Sequence, residues 1–200
     1  METLLCYGDS NTFGYDPADR GWYRYPKEVR WTGILAGTGR YKVYNEGSNG
    51  RQIPHDPGSL SLMDGILAVH QDADRLLIML GTNDIFEMWP ASADRVGQRM
   101  RRVFEEVPGL AYFRTGGRET ILIAPPRIHA DEELYGPFIN KASEGTAGAL
   151  RAVAKDYGVR FLDASAWGIG IAYDGVHFSA AGHRTFADRL MACLEEGRKE

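Results

Sequence analysis

The stretch TLLCYGDSNTFG, residues 3–14, turns from an apolar run into a cluster of Gly, Asp, Ser, Asn and Thr without a break. A continuous apolar run that stops at small polar residues marks a strand buried on both faces of a parallel sheet, with a loop at its carboxyl end. The pattern of TLLCYG (3–8) recurs at YKVYNEG (41–47), RLLIMLG (75–81), ETILIAPP (119–126) and VRFLDA (159–164). Helix-compatible stretches lie between these runs, at about 30–37, 59–70, 92–107, 138–157 and 179–196. The alternation predicts an α/β chain folded as a three-layer α/β/α sandwich on five parallel strands, residues 1–200 forming one domain. Crossovers are then right-handed, and ligands bind outside the carboxyl ends of the strands.

The composition, 44% hydrophobic and 25% charged over 200 residues, suits a chain with a substantial core. A net charge of −4 without long runs of one sign argues against nucleic-acid partners and a basic membrane-binding face. Arg99, Arg101 and Arg102 beside Glu105 and Glu106 read as a solvated helix face. No apolar stretch approaches the roughly 20 residues that span a bilayer. Met1 leads almost directly into strand, so neither a signal peptide nor membrane insertion is expected, and the location expected is cytoplasmic. Cys6 and Cys193, far apart in sequence, read as small buried hydrophobes rather than a disulfide.

Four polar motifs follow strands at the same predicted edge: GDS (8–10), NEGSNG (45–50), GTND (81–84) and YDGVHFS (173–179). Each alone reads as turn chemistry. Together they contain the parts of an acyl-transfer site. A serine hydroxyl attacks a carbonyl once a base takes its proton, and a third group must orient that base. Ser10 can supply the hydroxyl, His177 the base and Asp174 the carboxylate, and the spacing of three lets Asp174 and His177 share one side of a turn. The tetrahedral intermediate needs hydrogen-bond donors, for which the candidates are the backbone N–H groups of Ser10 and Gly50 and the Asn83 amide. Glycine suits that position because no Cβ blocks the substrate oxygen. Residues 7–14 by themselves leave three readings open: a nucleophile, a phosphate cradle or a polar turn. A phosphate cradle needs a helix soon after Thr12, and Pro17, Gly21 and Pro26 are expected to delay it towards residue 30.

Taken in order along nearly the whole chain, GDS at 8–10, Gly50 in NEGSNG, GTND at 81–84 and DGVH at 174–177 resemble the four blocks of the SGNH hydrolase (GDSL-type esterase/lipase) superfamily. The resemblance implies Ser10 as nucleophile, Asp174 and His177 as its triad partners, and Gly50 and Asn83 as oxyanion donors. It also implies a flavodoxin-like sheet of strand order 2-1-3-4-5. RWTGIL (30–35), LLIMLGTND (76–84) and DGVHFS (174–179) are similar to the branch containing bacterial arylesterases, acyltransferases and perhydrolases. Members of that branch hydrolyse small acyl esters, can pass the acyl group to alcohols or peroxide, and often form oligomers. A small, short-acyl ester substrate and a homo-oligomer are therefore implied. Phe13 stands where the acyltransferase subgroup carries tryptophan, which bears on pocket shape and acyl transfer. Carbohydrate O-deacetylase and lysophospholipase are the alternatives within the superfamily, and a flavodoxin-like phosphate or FMN module is the alternative outside it.

Two long connections, residues 11–30 and 125–138, leave strand ends and should overhang one crevice, as substrate contacts or as cover for the sheet edge or a neighbouring subunit. Phe13, Ile128 and His129 are the pocket candidates within them. Asp9, Asp84 and Asn45 read as braces for their loops, and His70 and His183 as surface or packing residues. No third or fourth ligand completes a metal site around Asp174 and His177, so neither metal nor cofactor is expected.

Overall fold

The computed structural model describes residues 1–18, 23–131 and 135–196. The elements run β1 (Glu2–Gly8), α1 (Ser10–Phe13), α2 (Trp31–Gly37), β2 (Tyr41–Gly47), α3 (Pro57–Val69), β3 (Arg75–Met79) and α4 (Thr82–Glu87). They continue with α5 (Ala93–Glu106), α6 (Gly109–Tyr112), β4 (Glu119–Ala124), α7 (Gly136–Tyr157), β5 (Arg160–Asp163) and α8 (Ala180–Glu196). Among the described residues the strands form one five-stranded sheet, all parallel, in the order β2–β1–β3–β4–β5. The direction of winding reverses between β1 and β3, which opens a crevice at their carboxyl ends. Gly8 pairs with both Gly47 and Met79, so the loops after β1, β2 and β3 leave the sheet at one level.

Successive side chains of a strand face opposite sides, and here both sides are covered. Leu5, Tyr7, Leu76, Ile78 and Leu122 pack with Met63 and Leu67 of α3, Met100 and Val103 of α5, and Leu150 and Val153 of α7. Leu4, Cys6, Leu77, Met79, Ile121 and Ile123 pack with Trp31 and Leu35 of α2 and Phe186 and Leu190 of α8. Burying each such side chain stabilises the fold by about 1.5–3 kcal/mol, which makes these two layers its main support. Helix starts follow local chemistry: Asp56 caps α3 through Gly58 N and Ser59 N, with Pro57 leading the first turn. Among the described residues no helix is long and apolar enough to cross a membrane.

The five longer helices lie where their apolar period places them. α1, α4 and α6 are too short to carry a period and correct the sequence reading at those points. The first helix does not wait for residue 30. A single turn begins at Ser10 and stops at Gly14, whose backbone is left-handed, and α2 follows at Trp31. Gly21, invoked for the delay, and Trp22 lie outside the described residues. Cys6 is buried as read, whereas Cys193 is half-buried. His183 is a packing residue: it is fully buried against Tyr25 and Phe178, and its Nδ1 accepts from Trp31 N at 3.4 Å.

Candidate active site

β1 delivers Ser10 to the crevice through a turn capped by its neighbour. The Asp9 side chain accepts from Asn11 N at 2.9 Å, and the Asp9 carbonyl accepts from Thr12 N and Phe13 N. These bonds place a carboxyl group at the start of α1, where a phosphate cradle would need free donors, and this argues against that reading more directly than a late helix would. Asn11 reaches the far side of the crevice. Its Nδ2 donates to the Val176 carbonyl at 3.3 Å and its Oδ1 accepts from Phe178 N at 2.9 Å. One asparagine thus fastens the loop after β1 to the turn of residues 174–178.

That turn holds Asp174 and His177 together. Asp174 Oδ1 accepts from Val176 N and His177 N, both at 3.0 Å, and Asp174 Oδ2 lies 2.6 Å from His177 Nδ1. His177 Nε2 lies 2.9 Å from Ser10 Oγ. The three predicted residues, 167 positions apart at the extremes, therefore form one hydrogen-bonded chain. Burial alone would raise the Asp174 carboxyl, but the bonds from His177 and Val176 outweigh it and hold the group below its usual range. With Asp174 ionised, the ring proton belongs on Nδ1, leaving Nε2 free to accept from Ser10. Gly175 makes the turn possible: its φ is +71°, and a Cβ there would sit 2.0 Å from the His129 carbonyl.

The second and third blocks meet at residues 50–51. Ser48, Asn49, Gly50 and Arg51 form a turn closed by Arg51 N donating to the Ser48 carbonyl at 3.1 Å. Gly50, with a φ of +72°, occupies the position that demands a left-handed backbone, and its N–H takes no part in that closing bond. Asn83 lies in the first turn of α4, and its Nδ2 donates to the Arg51 carbonyl at 3.0 Å. Asn45 ties the first two blocks: Nδ2 donates to the Thr12 carbonyl and to Thr32 Oγ1, both at 2.8 Å, and Oδ1 accepts from Gly47 N. Asp84, fully buried, accepts from Ile53 N at 3.0 Å and pairs with Arg99 at 2.6 Å. Arg99 also donates to Gln52 at 2.8 Å, so one of the three arginines read as a solvated face works inside this brace.

The pocket candidates separate. Phe13 is half-buried with the Arg24 guanidinium 3.9 Å above its ring. Ile128 is buried in the core, its N–H donating to Ser143 Oγ at 3.0 Å. His129 is exposed beside Ile171, Tyr173 and Gly175, and its N–H donates to the Gly175 carbonyl at 2.8 Å. Both long loops reach the 171–178 segment. Tyr173 Oη donates to the Pro17 carbonyl at 2.8 Å, and the Tyr15 ring lies 4.5 Å from the His177 ring. Asn11, Tyr15 and Arg51 escaped individual reading from sequence; each matters through a contact between loops, for which one chain offers no periodic signal.

Burial pushes the Asp9 carboxyl up to about 7, with Asp84 adding to the rise against the Asn11 bond and Arg51. A group raised in this way stabilises the fold most below its unfolded value of 3.8 and loses that contribution as pH rises through about 7. Asp9→Asn keeps a cap acceptor but cannot ionise. Against wild type it is expected to gain stability as pH rises from about 4 to about 7, by up to about 1.4 kcal/mol per pH unit. Urea unfolding at three pH values measures this, and a difference that stays constant with pH would remove Asp9 as the source.

The family model described as GDSL-like Lipase/Acylhydrolase matches residues 6–185. A solved structure from Agrobacterium tumefaciens, described as an arylesterase, superposes with a TM-score of 0.83 at 30% identity, covering 98% of this chain and 99% of that one. The inhibitor-bound aryl esterase of M. smegmatis gives 0.81 at 25% identity, covering 98% and 99%. A carbohydrate acetylesterase from Sinorhizobium meliloti gives 0.77 at 27% identity, covering 96% and 100%. Comparison with curated protein sequences found no match.

Proposed function

Since the chain belongs to the GDSL-like lipase/acylhydrolase family, within the SGNH hydrolases that act on ester bonds, we propose that it is a serine esterase working on small carboxylic esters through an acyl-enzyme. The observation that supports this reading is the unbroken chain from Ser10 Oγ through His177 to Asp174, at 2.9 and 2.6 Å. His177 Nε2 takes the Ser10 proton while Oγ forms a bond to the ester carbonyl carbon. The carbonyl electron pair moves to oxygen, and the N–H groups of Ser10, Gly50 and Asn83 stabilise the resulting charge. The oxyanion collapses, the bond to the leaving alkoxide breaks, and His177 returns the proton to it. Water, or an alcohol acting as acceptor, then releases the acyl group by the same steps. Tyr15, its ring 4.5 Å from that of His177, narrows the approach with aromatic surface, which favours a short acyl chain.

A fluorophosphonate probe tests the nucleophile, because it phosphonylates only a serine made reactive by its base. One probe mass is expected on the intact protein and none on Ser10→Ala. Labelling that persists undiminished in Ser10→Ala would sink Ser10 as the nucleophile.

A further inference from the structure

Resting on that reading of the oxyanion hole, we infer that Arg51 is a positioning residue that sets both of the hole's outer donors at once. Its guanidinium reaches back across the crevice floor. Nη1 donates to the Gly8 carbonyl at 3.0 Å and to the Glu46 carbonyl, and the guanidinium carbon lies over the buried Tyr7 ring, 4.2 Å from its centre. The side chain thereby anchors the Ser48–Arg51 turn to the ends of β1 and β2, two residues from Ser10. Gly8 also accepts from Ser48 N at 3.1 Å, so the turn is held at both ends against one carbonyl. The Arg51 main chain works outward from this anchor. Its N–H closes the turn that presents the Gly50 N–H, and its carbonyl takes one of the two Asn83 amide protons at 3.0 Å. The second amide proton is then the one available to an oxyanion. An arginine suits this post because a planar guanidinium can donate to carbonyls from its edge while its face lies over an aromatic ring; a lysine ammonium supplies charge without that shape.

Losing the guanidinium leaves the chemistry intact but lets the turn drift, and displacements of about 1 Å at a reacting centre cost as much as about 10²-fold. Arg51→Ala is expected to lower kcat for a small ester by about 10–10²-fold with KM changed less than about threefold, and Arg51→Lys to fall between it and wild type. A side chain that only supported the fold would move the unfolding midpoint without this split. The decisive measurement is a double-mutant cycle with Asn83→Ala, run on variants whose thermal unfolding shows them folded. Asn83→Ala alone is expected to lose about 10²–10³ in kcat, and adding Arg51→Ala to it a smaller factor than Arg51→Ala costs alone, because only the hold on the Gly50 N–H is then left to lose. If Arg51→Ala does not fold, Arg51→Lys takes its place in the cycle, with the same reduced effect expected in the Asn83→Ala background. A loss below threefold in Asn83→Ala would overturn the oxyanion hole itself. A full loss there, with the Arg51 variants at the wild-type rate or additive with Asn83→Ala, would overturn the Arg51 inference alone.

Discussion

Ser10→Ala and His177→Ala are each expected to lower kcat/KM for a small ester by about 10⁴–10⁶, and the double variant to fall no further. The reason lies in the 2.9 Å contact between Ser10 Oγ and His177 Nε2. Without the imidazole the hydroxyl keeps its proton and is a weak nucleophile; without the hydroxyl the imidazole has no proton to move. Each change therefore removes the whole proton-coupled attack, and the second removes nothing that is left. What survives in either variant is the rate from substrate binding and the oxyanion donors, about 10³–10⁴ above water in well-studied serine hydrolases. Steady-state kinetics on the two single variants and the double variant checks this. Multiplied losses, or a single variant above about a tenth of the wild-type rate, would break the relay.

Asp174→Asn is expected to cost about 10⁴ in kcat while leaving the thermal midpoint near wild type. Asp174 Oδ1 accepts two backbone N–H groups, from Val176 and His177, and an asparagine oxygen can keep both. The amide nitrogen must then face His177 Nδ1, where the carboxylate oxygen sits 2.6 Å away in the native turn. An amide N–H donates, so Nδ1 becomes the acceptor and the ring proton moves to Nε2. The ring then points a hydrogen at Ser10 instead of a lone pair, and the base is lost although the turn survives. Kinetics paired with a melting curve reads both halves. A loss of less than about tenfold would mean that Asp174 does not govern the tautomer.

The strand ends and the order of the four motifs were legible because both follow from local rules. A run buried on both faces must be apolar throughout, and where it ends the backbone needs small polar residues. The meeting of GDS, GTND and DGVH followed from topology, since parallel strands put their carboxyl ends on one edge. Legibility stopped where one loop touches another. Asn11 was hidden because its partners are Val176 and Phe178, 165 and 167 positions away, and nothing in SNTF announces them. Arg51 reads as an ordinary charged loop residue until Gly8, Glu46 and Tyr7 surround it. The one-turn helix at Ser10 carries no period, but Asp9, which reads as a brace for its loop, is also the capping residue that marks where the turn starts. Gly175 was read within a motif, whereas its demand for a missing Cβ comes from the His129 carbonyl of another loop.

The separation of Ser10 from His177 also governs when the site can come into being. All five strands are complete by Asp163, whereas His177 and helix α8, which covers one face of the sheet, follow them in the chain. The turn at 174–178 is fastened by Asn11 across 165 and 167 positions, at an entropic cost that grows only as the logarithm of the span. On the proposed mechanism, synthesis from the N-terminus makes the nucleophile first and its base last, so a chain that stops short of residue 177 carries Ser10 without the group that would activate it.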